Sequence, residues 1–475
     1  MRNNPSSQSV NPLSGAITRR GFIGTASRAM SAAALAIAGL DTRSQEPGQR
    51  PRKPDSVAVL NPRCRVPVGL IIDDSTCLVN LNRFAMPQFD RAHRGKNPAY
   101  KKPWRDWPPE IPDSFVRRFA EWSIATGVRG KYSVVPYPAC VGRLDRLLPG
   151  WSHSDLEDSL DLVRTLVAQN WDIHPEMITH TRVIDLRTGQ PYQDDSLAYM
   201  ENWDWSAGKS AAELADYLAY ALQILKNAGL ECEGITTPGG FGSRARPQLA
   251  QATLEAVRSV FGAQVPHYFR DVHDKGDESV APRVELASGL DGPDPKCVVS
   301  VIGCTGDWTG GWDCSEPEGA DRFISSDLKT GRMVEVIERG EPAMMLCHWT
   351  GIYWNGHEFG FKILQEVVRR LHARYDNLIW MKLSELARYW AARELTRIAS
   401  ETGICRFDAP FAWRDFTVEV DRPVSTDPKL RTDQQTIAFR EVGDRLKLVN
   451  GTWCRENGKS VFCFDLPAGT SRLIM

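Results

Sequence analysis

Val66-Pro67-Val68-Gly69-Leu70-Ile71-Ile72-Asp73-Asp74-Ser75 is an unbroken apolar run that ends in two carboxylates. A continuous run, in place of an alternation of apolar and polar residues, is the pattern of a parallel strand buried on both faces. In parallel α/β folds the active site is assembled beyond the C-terminal ends of the strands, and that is where Asp73 and Asp74 stand. This stretch therefore predicts both the fold class and one wall of a site.

Farther along, Trp171-Asp172-Ile173 opens a short β-run where a helical pattern stops, and His174-Pro175-Glu176-Met177-Ile178-Thr179-His180 follows directly. Two imidazoles and a carboxylate so close together can converge on one divalent cation once a second carboxylate arrives from elsewhere in the fold. Asp74 is the candidate. The predicted ligands are thus Asp74, His174, Glu176 and His180, holding one divalent ion with zinc as the expected metal.

Helix-like and strand-like patterns alternate on either side of these two segments. An amphipathic helix over 115–126 leads to a strand over 130–136, and Ser152 caps the helix before Trp171. A helix over 211–228 stops at Gly229 and delivers a strand over 232–237, followed by the turn Pro238-Gly239-Gly240-Phe241-Gly242. A helix over 247–261, strands over 265–269 and 297–302, and a helix over 326–339 come next. The strand over 342–348 ends in His348, and a helix over 359–375 and a strand over 378–381 close the series. Seven or eight such units predict an α/β fold, a (β/α)7-8 barrel over 55–400. From 401 to 475 the pattern changes to alternation (416–420, 446–449, 460–464), which predicts a small C-terminal all-β domain packed on the barrel.

The segment 1–54 has the order of an export signal: Thr18-Arg19-Arg20-Gly21-Phe22-Ile23, then the small apolar run 29–40 (AMSAAALAIAGL), then a Pro/Arg/Gln linker over 46–54. Paired arginines followed by a modest apolar stretch predict a twin-arginine signal peptide, with the twin-arginine export machinery as a partner. The expected location is the periplasm or the exterior of the cell. The run is too short to be a permanent membrane anchor.

A chain of 475 residues with 42% hydrophobic content can bury a large core, and a net charge of −1 argues against nucleic acid as a partner. The eleven cysteines are an odd number with no recurring short spacing. Cys454 and Cys463 flank an Asn457-Gly458 turn, yet a two-residue turn sets Cys454 opposite Val461 and Cys463 opposite Thr452, so the sulfurs are only diagonal neighbours. Most of the cysteines are expected to be reduced core residues. Fifteen tryptophans are unusual, and many stand in loop-like sequence. Trp308, Trp312, Trp349, Tyr353 and Trp354 cluster near the predicted strand ends, where aromatic faces could stack on sugar rings of a carbohydrate substrate.

A strand ending in Asp-Asp, a second strand followed by Glu176 and Thr179-His180, a Pro-Gly turn after a middle strand and a late strand ending in Leu346-Cys347-His348 together resemble the polysaccharide deacetylase (NodB-homology) domains of the glycoside hydrolase/deacetylase barrel superfamily. The likeness covers about residues 66–390. It implies that Asp73 is a general base, Asp74 and His180 are metal ligands and His348 is a general acid. Two positions depart from that pattern: Glu176 stands where the family has its first motif histidine, and the family's Arg-x-Pro-x-Gly motif is reduced to Thr237-Pro238-Gly239. The expected function is an exported metal-dependent hydrolase that removes acyl groups from a poly- or oligosaccharide. The alternatives are a metal-independent glycoside hydrolase using a carboxylate pair such as Asp73 and Asp307, and a catalytically inactive carbohydrate-binding barrel.

Overall fold

The computed structural model describes residues 50–424 and 427–475, so the twin-arginine segment lies outside the described residues. Val66–Asp73 is buried along its whole length. It pairs in parallel with Ala343–His348 on one side, with His348 opposite Asp73, and with Gly130–Ser133 on the other. Trp171–His174 extends the sheet beyond Gly130–Ser133, and Leu378–Trp380 pairs with the start of Val66–Asp73. A second sheet holds Gly234–Thr236, His267–Val272 and Lys296–Gly303 in parallel, with Arg283–Ser288 antiparallel at its edge. The fold is therefore mixed α/β around parallel strands, as the apolar runs predict.

The two sheets meet at two seams. On one side the backbone N–H of Thr236 donates to Pro175 O (3.0 Å), next to an isolated bridge between Glu176 and Thr236. On the other, Cys304 N–H donates to Met344 O (2.8 Å). Helices cover the strands. Ser152 and Ser210 each form a reciprocal capping box, with Asp155 and Glu213, which starts the helices His153–Leu162 and Ala211–Asn227 at the expected places.

Several elements differ from the sequence expectation, among them the unexpected helix Leu81–Ala92 and strand Arg283–Ser288. The helix expected over 326–339 spans only Arg332–Glu338, because Ser325 Oγ accepts from the N–H groups of Lys329 and Thr330 and holds the preceding residues in a turn. Gly331, at φ +115, then passes so close to Phe323 O that a Cβ would stand 2.6 Å from it. In place of a strand over 446–449 there is a 3-10 turn, Arg445–Lys447, capped by the Asp444 carboxylate. Leu383–Leu395 is a further helix, buried on most sides between the parallel strands and the tail. Among the described residues no helix is long and apolar enough to cross a membrane.

The tail forms two antiparallel-rich sheets. One contains Arg397–Glu401, Ile404–Ala409, Gly469–Ile474, Lys429–Thr432 and Thr436–Ala438. The other contains Trp413–Val420, Lys459–Leu466, Thr452–Glu456 and Arg440–Glu441, and it recruits Val57–Val59 from before the first parallel strand. Their shared core includes Phe407, Phe416, Phe464 and Leu473 together with Val57, Val59, Met381, Tyr389 and Ala392. The expected boundary at 400 thus falls inside a strand, and the core extends beyond the tail itself. Cys454 stands opposite Val461 and Cys463 opposite Thr452, as the turn dictates. All eleven cysteines are free.

Candidate functional site

Parallel register places Asp73 and His348 side by side at the C-terminal edge of the first sheet. The next residue, Asp74, turns the chain at φ 62, and its backbone N–H donates to Glu176 Oε2 (2.9 Å). His180 Nε2 lies 2.6 Å from Asp74 Oδ1 and 3.3 Å from Glu176 Oε1. One donor atom from each of Asp74, Glu176 and His180 falls within 4.8 Å of the others, and all three side chains are buried. Two carboxylates and an imidazole are a fitting donor set for a divalent cation. Burial opposes a charge on His180, but Asp74 and Glu176 carry its pKa well above the ordinary imidazole range. Burial likewise pushes Glu176 up, and the charge on His180 outweighs it, holding the carboxyl at about 2.

Glu176 and His180 do not meet by helical spacing. The chain from 177 to 181 is non-helical, with Met177 at φ 53 and His180 at φ 62. The shape comes from Glu201, whose wholly buried carboxylate accepts from the backbone N–H groups of Ile178 (3.2 Å), Thr179 (3.1 Å) and His180 (2.6 Å) and from the Tyr217 hydroxyl (2.6 Å). Burial lifts the Glu201 carboxyl to about 7 in spite of these donors. A solitary Glu carries no sequence signal for that role.

His174, expected among the ligands, is not brought to this cluster. It is the last residue of the strand Trp171–His174, and its ring faces His267, Nε2 to Nε2, at 2.9 Å. The reason is the anchoring of Pro175 to Thr236: the chain reverses only beyond that point, so residues 176 and 180 return over Asp74 while His174 stays in the strand layer.

Asp73 has a partner absent from the sequence prediction. Lys131, with no exposed surface, forms an ion pair with Asp73 Oδ1 and donates to Ile72 O (3.0 Å) and Ser133 Oγ (2.8 Å). A cation therefore stands beside the first carboxylate even though the Pro-Gly turn lacks its arginine. A lysine inside the buried strand Gly130–Ser133 was the signal available for it. Burial raises the Asp73 pKa to about 6, with Lys131 resisting the shift and Glu176 adding to it.

His348 is held by Asp307. Asp307 Oδ2 accepts from both His348 Nδ1 (2.8 Å) and His348 N (2.9 Å), while Oδ1 accepts from Thr309 N (2.9 Å) and Thr309 Oγ1 (2.6 Å). Burial alone would depress the imidazole. The Asp307 hydrogen bond and the charges of Asp74, Asp307 and Asp73 prevail and set its pKa at about 10, so it is an imidazolium at neutral pH.

Asp73, Asp74, Glu176, His180 and His348 line one cavity of about 280 Å³. Its aromatic wall is Phe89, Tyr100, Trp203 and Trp312, with Phe89 edge-on to Trp203 at 5.1 Å and Tyr100 at 5.8 Å from Trp312. Thr237, Pro238, Gly239 and Gly240 form the facing rim. Of the five aromatic residues expected to touch substrate, only Trp312 lines the cavity. Trp349 is a core ring packed on Phe115, Phe119 and Tyr132, because the short helix Trp349–Tyr353 rolls it away from the opening. Tyr353 rests on Phe115 as well, Trp308 packs on Phe323 beneath Arg322, and Trp354 packs on Phe359.

No family model and no curated protein matches the chain. Among solved structures, an α-fucosidase of Thermotoga maritima in complex with a mechanism-based inhibitor is similar at 9% identity and a TM-score of 0.25, over 88% of this chain and 97% of that one. The catalytic domain of GH30 xylanase C from Talaromyces cellulolyticus is similar at 10% identity and a TM-score of 0.25, over 88% and 99%. Likeness at this level carries no functional argument, which leaves the chemistry of the cavity.

Proposed function

We propose that this chain is an exported, metal-dependent hydrolase of the carbohydrate deacetylase type, removing acyl groups from a poly- or oligosaccharide. The observation that carries it is the convergence of Asp74, Glu176 and His180 in one aromatic-walled cavity, with Asp73 and His348 beside them. In this reading the parallel strands close through both seams into a (β/α) barrel, residues 401–475 are its β-domain, and the segment 1–54 directs twin-arginine export to the periplasm or beyond.

A divalent cation on Asp74, Glu176 and His180 would supply Lewis acidity toward an acyl carbonyl and lower the pKa of water. Asp73 takes the proton of the attacking water, and Lys131 keeps its carboxylate ionised and in place. His348 protonates the leaving nitrogen or oxygen through Nε2, since Nδ1 is committed to Asp307. Phe89, Tyr100, Trp203 and Trp312 offer ring faces and edges to the apolar faces of sugar rings. The glycosidase alternative would use a carboxylate pair such as Asp73 and Asp307, and both oxygens of Asp307 are engaged by His348 and Thr309.

The test is metal analysis joined to an assay of acetate release from N- and O-acetylated oligosaccharides. The wild-type protein is expected to release acetate, and His180→Ala is expected to lose both that activity and the ion at this site. Wild-type protein without deacetylation on any of these substrates, or His180→Ala with full activity, would overturn the proposal.

A further inference from the structure

Deeper among the parallel strands, Asp172, His174 and His267 make a second group of donors within 4.8 Å of one another. His174 and His267 have no exposed surface. Their Nε2 atoms face each other at 2.9 Å, and Asp172 Oδ2 lies 4.0 Å from His267 Nε2. Two nitrogens on one tetrahedral zinc stand about 3.3 Å apart, given bonds of about 2.0–2.1 Å, so a shift of a few tenths of an ångström would suffice.

Three features point beyond a simple imidazole–imidazole hydrogen bond. First, the residue over the pair is Gly234, where a Cβ would stand 2.6 Å from His267 Nε2 and 2.7 Å from His174 Nε2. Any side chain at this position would collide with both nitrogens, and glycine avoids that. Second, the donors have outer partners that orient them: Ser384 donates its N–H (2.6 Å) and hydroxyl (2.9 Å) to Asp172, and Thr236 Oγ1 lies 3.3 Å from His174 Nδ1. Hydrogen bonds of this kind fix the tautomer and aim of metal ligands. Third, the group straddles a seam. Asp172 and His174 belong to the last strand of the first sheet and His267 to the second, and at this seam the backbone pairing is the Thr236 N–H bond to Pro175 O beside the bridge of Glu176 and Thr236.

We propose that Asp172, His174 and His267 form a second, structural site for a divalent cation, which staples the two sheets together at the seam beside Glu176 and Thr236. The ion has three protein ligands drawn from two sheets, none of which lines the cavity of Asp73 and His348. It braces the strand from which the loop with Glu176 and His180 departs.

Zinc is the probe. Full-length protein crystallised with zinc is expected to show an anomalous peak between His174 Nε2 and His267 Nε2, separate from one at Asp74, Glu176 and His180. In solution, His180→Ala protein is expected to retain about one zinc per chain and to lose several degrees of Tm on chelation. Adding His267→Gln or the milder Asp172→Asn to it should remove that zinc and the chelator effect. A peak at the second position alone would support this inference and sink the proposed function. A peak at the first position alone, no peak at either position, or a His180→Ala protein free of zinc and unaffected by chelator, would overturn the second site.

Discussion

At the scale of single residues, the buried pair Lys131–Asp73 and the pair His348–Asp307 set opposite protonation states in one cavity. A base must be ionised and an acid protonated to act, so kcat/KM is expected to rise through about pH 6 as Asp73 loses its proton. It should fall through about pH 10 as His348 loses its own. Lys131→Met removes the cation that favours the ionised Asp73, so the lower limb should move to higher pH. The same change breaks a buried ion pair and should cost about 3–5 kcal/mol of stability, read from urea unfolding. A lower limb that stays in place would mean that Lys131 does not govern the base. His348→Gln should reduce kcat by about a hundredfold while the bound metal is retained. Unchanged turnover in that variant would remove His348 from the mechanism.

At the scale of elements, the informative one is the loop between His174 and Val183, which has no regular structure of its own. Its candidate ligands are placed by a carboxylate from another segment, since Glu201 collects three of its backbone N–H groups. Glu201→Gln offers one acceptor oxygen and an NH2 group that cannot accept, leaving buried donors unpaired. The expected cost is about 2–4 kcal/mol, together with weaker metal binding at Asp74, Glu176 and His180. Isothermal titration with zinc and urea unfolding of the variant measure the two effects. Unaltered affinity would show that the loop keeps its shape without Glu201. A helix was legible where an amphipathic stripe and a cap coincide, as at Ser152. Leu383–Leu395 escaped because a helix buried on nearly all sides has no stripe to read. The residues before Arg332 misled because the turn there rests on the Ser325 hydroxyl bonds and on Gly331, which an apolar pattern does not show.

At the scale of the whole molecule, the tail is tied to the rest through a common core. Removing 397–475 would uncover Val57, Val59, Met381, Tyr389 and Ala392, which now pack against Phe407, Phe416 and Phe464. The truncated chain is expected to be insoluble or aggregated, which soluble yield and size-exclusion chromatography would show. A soluble monomer with its metal retained would instead establish that the tail folds as a separate unit.

Local chemistry in the chain was enough to specify the parallel strands, the caps, the Cys454 and Cys463 register, and the placing of Asp73, Asp74 and His348 at strand ends, because each depends on residues near in sequence or on a run of apolar side chains. Contacts between distant segments were not legible in the same way. Whether His174 or Glu176 joined Asp74 depended on where Pro175 is anchored, a backbone bond to a strand some sixty residues away. That Lys131 would meet Asp73, that Glu201 would shape the loop, and that Trp349 would pack inward while Phe89, Tyr100 and Trp203 lined the cavity, all follow from how the sheets and helices pack. Burial makes such choices strict, since a buried charge or donor must find its partner in three dimensions, and neighbours in sequence do not supply it.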